Sequence, residues 1–323
     1  MFTCSSCSFK VTDFFPRYKK LLPGKKNKVY RLNKLVRLVE PIKGNAKFKV
    51  VFSPKFNYAL DKTNVESCDG GVRAYSKDFE LFCQTNIASE LILDSSDVEL
   101  KFSVYFILAE DIADYSVLRV KKLLSATKNY WKSWVSSLEL PQAYRSTIII
   151  SALVLKLLTM SETGSIMAAA TTSLPEEIGS VRNWDYRFCW VRDASYTVDA
   201  LQKIGREFES KRLMEFILDS SMQKKQHLQI MYGLHGEAEL TEQVLGHLSG
   251  YKNSAPVRIG NGAYDQIQHD IYGNIIDVMY IYYVFQEVES KMSDRFWKFL
   301  VHLVDEITSK WDTPDSGIWE FRG

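Results

Sequence analysis

Between residues 168 and 194 the chain reads AAATTSLPEEIGSVRNWDYRFCWVRDA. This stretch gathers Trp184, Tyr186, Trp190, Arg182, Arg187, Arg192, Asp185 and Asp193 into a few turns of chain. Guanidinium and carboxylate groups can each hold two vicinal hydroxyls, and an aromatic face covers the apolar face of a pyranose ring, so these types suit a polyol ligand. They would equally build an Arg–Asp network at a domain junction, and residue identity alone leaves the two readings level. On residue type alone Glu320, flanked by Trp319 and Arg322 in DSGIWEFRG, reads as a surface-turn residue that pairs with Arg322.

Other titratable groups carry less. His227, His235, His247, His269 and His302 lack metal-ligand spacing, and only His235, in the Tyr232-Gly-Leu-His-Gly loop, invites attention. Cys4-Ser-Ser-Cys7 has the spacing of half a zinc site, but no second pair follows, so two free thiols are the expectation. With Cys68, Cys83 and Cys189 the total is five, an odd and scattered set that points to a reducing, cytoplasmic setting rather than a disulfide framework.

Two kinds of element must position these groups. Up to about residue 110 apolar residues alternate, most clearly over 98–106, with shorter runs at 29–38 and 48–52 and turn signals at Pro23-Gly24, Gly44, Pro54 and Gly70-Gly71. Several short strands at close spacing suggest an antiparallel β-sandwich. Beyond it the period becomes helical. Residues 111–138 read as a helical linker with Trp131 and Trp134 on one face, and 144–159 is apolar nearly all round, as in a helix buried on most sides. Further helices are expected over 193–204, 208–222, 271–288 and 294–309. The last is capped by Ser293 and striped by Phe296, Leu300, Leu303, Val304 and Ile307. Helices arriving in pairs suggest a toroid or solenoid, although no repeat is visible in the sequence.

Composition excludes some classes. The 323 residues carry a net charge of +2 and are 46% hydrophobic, ordinary values for a globular protein of two or three domains. Lys19, Lys20, Lys25, Lys26, Lys28, Arg31, Lys34 and Arg37 form a basic cluster without any recognition-helix or aromatic RNA-binding pattern, so a solvated face is expected rather than nucleic-acid binding. Neither a secretory leader nor a membrane span is read. The first ten residues lack a basic start with an apolar run, and the longest apolar stretch, 148–158, is short and broken by Lys156.

TTSLPE, RNWDYRFCWVRDA, PVRIGNGAYDQIQHDIYG and DSGIWEFRG together resemble, in sequence and order, the prokaryotic branch of glycoside hydrolase family 15, which holds glucoamylases, glucodextranases and trehalases. VTDFFPR and the stretch over 35–59 are similar to the family's N-terminal β-domain. The resemblance implies an α+β multidomain chain. A partial antiparallel β-sandwich would cover 1–110 and a helical linker 111–140, and 141–323 would form the first part of an (α/α)6 barrel. It implies inverting hydrolysis of α-linked glucosides, glucoamylase-like in the first instance, with trehalase or a non-catalytic sugar-binding remnant as alternatives. Arg192 and Asp193 would grip hydroxyls of the terminal glucose, Trp190 would line that subsite, and Tyr186 would lie beside the anomeric carbon. Glu320 would be the general acid beside Trp319, and Arg258 and Asn261 would help shape a subsite. Two carboxylates suffice for this chemistry, so no metal or organic cofactor is expected.

The family supplies its general base from far downstream, and here the chain stops three residues after Glu320. Asp265 and Asp270 are the local carboxylates that should border the site, though nothing marks either as a base. A chain truncated at both ends, with little hydrolase activity, is therefore the expectation. About five of a six-hairpin barrel's helices can be placed, and apolar faces left in water, at about 25 cal/mol per Å², would favour self-association or a complementary C-terminal chain.

Overall fold

Alternating apolar side chains draw the first part of the chain into one large antiparallel sheet. The computed structural model describes residues 1–3, 6–20, 28–223, 228–285 and 294–320. Cys4, Pro23-Gly24, Lys25, Lys26, His227, Ser293 and Arg322 lie outside those residues. Two units are compact in themselves, Met1–Ser136 and Ser137–Gly323.

In the first unit, strands β1 (Phe2–Thr3), β2 (Ser8–Phe14), β3 (Leu35–Lys43), β4 (Asn64–Cys68), β5 (Gly71–Tyr75), β6 (Glu80–Thr85) and β7 (Val104–Ala109) form a sheet. Its order is β1-β2-β3-β7-β6-β5-β4, every neighbouring pair antiparallel. The central strand β7 alternates between two cores. Val104 and Phe106 pack with Val39, Val72 and Cys83, while Tyr105 and Ile107 pack with Phe14, Val36 and Leu38 on the other face. Fully burying an aliphatic side chain such as Leu38 or Ile107 contributes about 1.5–3 kcal/mol, so the sheet centre is held from both sides.

The described residues of this unit hold one large antiparallel sheet and small two-stranded ladders. Two details differ from the sequence reading. The alternating run over 98–106 is broken: Val98–Glu99 pairs with Lys47–Phe48, and a bend follows before β7 begins. The amide of Asn86 fixes that bend, donating to the Ser103 carbonyl at 3.0 Å and accepting from the Tyr105 N–H at 3.0 Å. Helix α1 (Val117–Ser136), read as part of a linker, packs on the sheet through buried Val120 and belongs to the first unit. In the basic cluster, Lys34 pairs with Asp111 at 2.7 Å and Arg37 with Asp13 at 2.7 Å.

The second unit is built of helices α2 (Arg145–Leu158), α3 (Val191–Lys203), α4 (Glu207–Ser221), α5 (Asp270–Phe285) and α6 (Asp294–Lys310). Val191, Ala194, Ser195, Val198 and Leu201 give α3 a buried stripe at helical spacing, which packs against α4 and α5. Tyr282 of α5 stacks on Phe296 of α6 with ring centroids 5.7 Å apart. Helix α2 differs from expectation: Ala152 alone is fully buried, while Ile150, Val154 and Leu157 are exposed. An all-round apolar surface does not say which sides are covered. On α6 the stripe runs through buried Phe299 and Leu303 with Phe296, Leu300 and Ile307 beside them, and Val304 points outward. Among the described residues, no helix is long and apolar enough to cross a membrane.

Candidate active site

The start of α3 is fixed before any ligand arrives. Cys189 and Trp190 pair with Tyr232 and Met231 in a two-residue ladder, and the Val191 N–H donates to the Ile230 carbonyl at 2.9 Å. Trp190, 4% exposed, is thereby held at the helix entrance, and the first turn carries Arg192 and Asp193 away from the buried stripe. Burial at this ladder has a chemical signature. It pushes the Cys189 thiol and the Tyr232 phenol each up to about 12.

Glu320 reaches the same place from the far end of the unit. The Asp315 carboxylate accepts from the His269 N–H at 2.9 Å and from the Gly317 N–H at 3.0 Å, and the Ser316 N–H donates to the Ile267 carbonyl at 2.9 Å. These bonds seat the turn that presents Glu320. The indole N–H of Trp190 then donates to Glu320 Oε1 at 2.7 Å. Arg192 Nη2 lies 3.9 Å from the same oxygen and 3.4 Å from Asp193 Oδ2, and Arg192 Nη1 donates to the Ile318 carbonyl at 3.3 Å.

These side chains line one cleft of about 820 Å³, within the range of small-molecule sites. Tyr186, Trp190, Arg192, Asp193, Asn261, Trp319 and Glu320, all anticipated from the sequence, are on its wall. Tyr186 lies 6.0 Å from Trp190, ring to ring. Burial, and then the charges of Glu176 and Glu320, raise its phenol above the usual value, so it stays a neutral O–H donor near neutral pH.

Not every anticipated residue takes the position expected. Arg258 does not line the cleft: its guanidinium stacks over Trp184 at 4.6 Å and pairs with Glu242 at 3.1 Å. Trp319 is 80% exposed, so the aromatic group that touches Glu320 is Trp190. The Asn261 amide donates to the Asp185 carbonyl at 3.2 Å and accepts from the Ala263 N–H at 3.0 Å, which makes it part of the wall's frame. Asp265 and Asp270 are absent from the lining, and Asp270 accepts from Asn274 within α5.

Within the motif, Asp185 and Arg187 form the internal network rather than the cleft. Asp185 is fully buried and takes a bidentate pair from Arg187 at 2.9 and 2.7 Å, plus the N–H groups of Arg187 and Gly260 at 3.1 Å. Gly260 sits at φ +74°, where an added Cβ would meet the Thr241 carbonyl oxygen at 2.1 Å, so only glycine permits that last bond. The backbone N–H of His235 donates to Glu237 at 3.0 Å, and the residue stays off the cleft wall. Among the described residues, no group of three or more His, Cys, Asp or Glu side chains is arranged to hold a metal ion. Glu176, Arg182 and Trp184 also line the wall, with Ala168, Val181 and Ile318. Glu176, Arg182 and Trp184 lie in the quoted motif segment, and their charged and aromatic types were the available signal.

An aromatic-walled cleft that holds a carboxyl beside a guanidinium–carboxylate pair is the equipment of a carbohydrate-processing protein. Comparison with known sequences gives the class its name: residues 142–323 match the family described as Glycosyl hydrolases family 15, and the chain belongs to that family. Its relatives include a trehalase of Thermoplasma volcanium, 33% identical over 97% of this chain and 49% of that protein. A trehalase of Thermoplasma acidophilum is 30% identical over 97% of this chain and 53% of that protein. A trehalase of Mycolicibacterium smegmatis is 44% identical over 61% of this chain and 30% of that protein. The chain thus spans about half the length, or less, of these curated relatives.

Proposed function

We propose that this chain carries the sugar-gripping and proton-donating side of a trehalase-like α-glucoside hydrolase. The observation that carries the reading is the meeting of Trp190, Arg192, Asp193 and Glu320 on one cleft wall. Glucoamylase-like action came first from the motifs alone. The relatives are named trehalases, which favours the alternative, with trehalose as the first substrate to test. The helices α2 to α6 are read as part of an (α/α)6 barrel on the strength of the family match.

In this reading Arg192 and Asp193 hold hydroxyls of the terminal glucose and Trp190 lies along its ring. Oε1 of Glu320 accepts from Trp190, and in this reading the Glu320 carboxyl carries the proton to be given up. That proton passes to the glycosidic oxygen as the bond from this oxygen to the anomeric carbon breaks. Water adds to the anomeric carbon from the opposite face and gives its proton to a second carboxylate, which inverting enzymes place about 6.5–9.5 Å from the acid. The products are glucose of inverted configuration and the released sugar.

Binding tests this directly. Calorimetric titration of trehalose into the full-length Glu320→Gln protein should give a measurable affinity. Arg192→Ala or Asp193→Ala on that background should weaken it by roughly 10- to 100-fold, the usual cost of losing charged hydrogen bonds. Undiminished affinity in both variants would remove the basis of the reading.

A further inference from the structure

Burial does not hold the turn that carries the acid. Ile318 and Trp319, the two residues before Glu320, are 45% and 80% exposed. Glu320 itself stands at φ +54°, a left-handed conformation that a residue with a Cβ adopts only where its surroundings impose it. Its N–H donates back to the Gly317 carbonyl at 3.1 Å and closes a tight turn over 317–320. Polar contacts must therefore fix the two ends of this turn. At the far end Trp190 donates to the Glu320 carboxylate, and Arg192 to the Ile318 carbonyl.

The near end rests on Asp315, whose two oxygens have different duties. Oδ1 accepts from the N–H of Gly317 at 3.0 Å, the local bond by which an aspartate opens a turn. Oδ2 accepts at 2.9 Å from the N–H of His269, the residue before α5. One carboxylate thus ties the first peptide of the turn to the start of a helix from another part of the chain. A charged acceptor makes such bonds roughly twice as strong as a neutral one. Beside it the Ser316 N–H donates to the Ile267 carbonyl at 2.9 Å, and Thr313 Oγ1 lies 3.3 Å from His269 Nε2. Both of these fasten the approach to the turn, whereas Asp315 bonds seat and turn with a single group. Its side chain is 28% exposed, so replacing it removes little packing.

The geometry points to Asp315 as the positioning residue of the acid, the group that sets where the Glu320 proton stands. This rests on the α-glucoside hydrolase reading above. Proton donation is steep in geometry, and a misplacement of about 1 Å can cost about 10²-fold. The experiment compares steady-state kinetics of the full-length protein on trehalose and on α-glucosyl fluoride. The sugar of trehalose leaves only with a proton, whereas fluoride departs as a weak base and needs none from the acid. Asp315→Ala should lower kcat on trehalose roughly 10- to 100-fold with KM within about threefold, and change kcat on the fluoride by less than about threefold. Asp315→Asn keeps one carbonyl acceptor and should lie between Asp315→Ala and the natural protein. On the Glu320→Gln background, which has no proton to place, Asp315→Ala should cost less than about twofold further on trehalose. Equal losses on both substrates, with or without a lower thermal midpoint, would make Asp315 a structural residue and overturn the inference. No loss on trehalose, or a full additional loss on the Glu320→Gln background, would overturn it as well, and in all these cases the hydrolase reading stands. An unsubstituted protein that turns over neither substrate would refute the hydrolase reading, and this inference with it.

Discussion

The indole N–H of Trp190 and the carboxylate of Glu320, 130 positions apart in the chain, meet at 2.7 Å. The bond ties the entrance of α3 to the turn that presents Glu320, because Trp190 is fixed by the ladder to Met231 and Glu320 by a turn seated on residues 267–269. Replacing Trp190 with Phe keeps a ring on the wall and removes the donor. As Glu320 gives up its proton the bond from Trp190 becomes one to a charged group, which contributes about 1.5–3 kcal/mol, so kcat on trehalose should fall roughly 10- to 100-fold with KM changed only a few-fold. Stopped assays of glucose release check this. An unchanged kcat would mean that Glu320 needs no such anchor.

Asp185 and Asp193 are eight positions apart and should respond differently to substitution. Asp185 is fully buried against Arg187, whose side chain is 35% exposed, so Asp185→Ala removes the carboxylate that holds a partly desolvated cation in a bidentate pair. Breaking such a pair costs about 3 kcal/mol, the low end for buried pairs, and should lower the thermal midpoint by roughly 6–12 °C. Asp193, with a side chain 49% exposed, should change stability by no more than about 0.5 kcal/mol when replaced by Ala. Scanning calorimetry of both variants makes the comparison, and similar losses would contradict the division between framework and cleft.

The framework also predicts a pH dependence. Burial raises the Tyr232 phenol from 10.0 to about 12, against the opposing pull of hydrogen bonds to Ser221 and the Gln229 backbone. Between those values the folded chain keeps a proton that the unfolded chain has lost. The associated stability is complete below pH 10 and disappears as pH rises towards 12. Urea unfolding at pH 10 and pH 11 should show a larger fall for the natural protein than for Tyr232→Phe, by about 1 kcal/mol between the two pH values. Parallel slopes would place the Tyr232 hydroxyl in contact with water.

How far the sequence announced these features depends on whether the signal was local. Arg192, Asp193 and Trp190 were readable as site candidates because RNWDYRFCWVRDA is continuous and Arg192 and Asp193 share the first turn of one helix. Helix positions were readable from apolar spacing, to within a few residues. Burial was not: α2 is apolar on every side, yet composition could not say that Ile150 and Leu157 remain exposed. Alternation over 98–106 suggested one strand because the Asn86 side chain, which closes the intervening bend, comes from elsewhere in the chain. The family resemblance at PVRIGN implied that Arg258 helps shape a subsite. Its actual neighbours, Trp184 and Glu242, are chosen by the docking of residues 172–173 on its backbone, a long-range event. Trp319 flanks Glu320 in sequence, whereas Trp190 touches it in space.

Glucose release from trehalose by the full-length protein and by its Glu320→Gln variant tests the central assignment most directly. The amide can still accept from Trp190 but has no proton to pass to the glycosidic oxygen. The rate should therefore fall by about 10²- to 10⁴-fold, while KM stays within a few-fold. A variant that releases glucose as fast as the natural protein would contradict the assignment of the acid to Glu320.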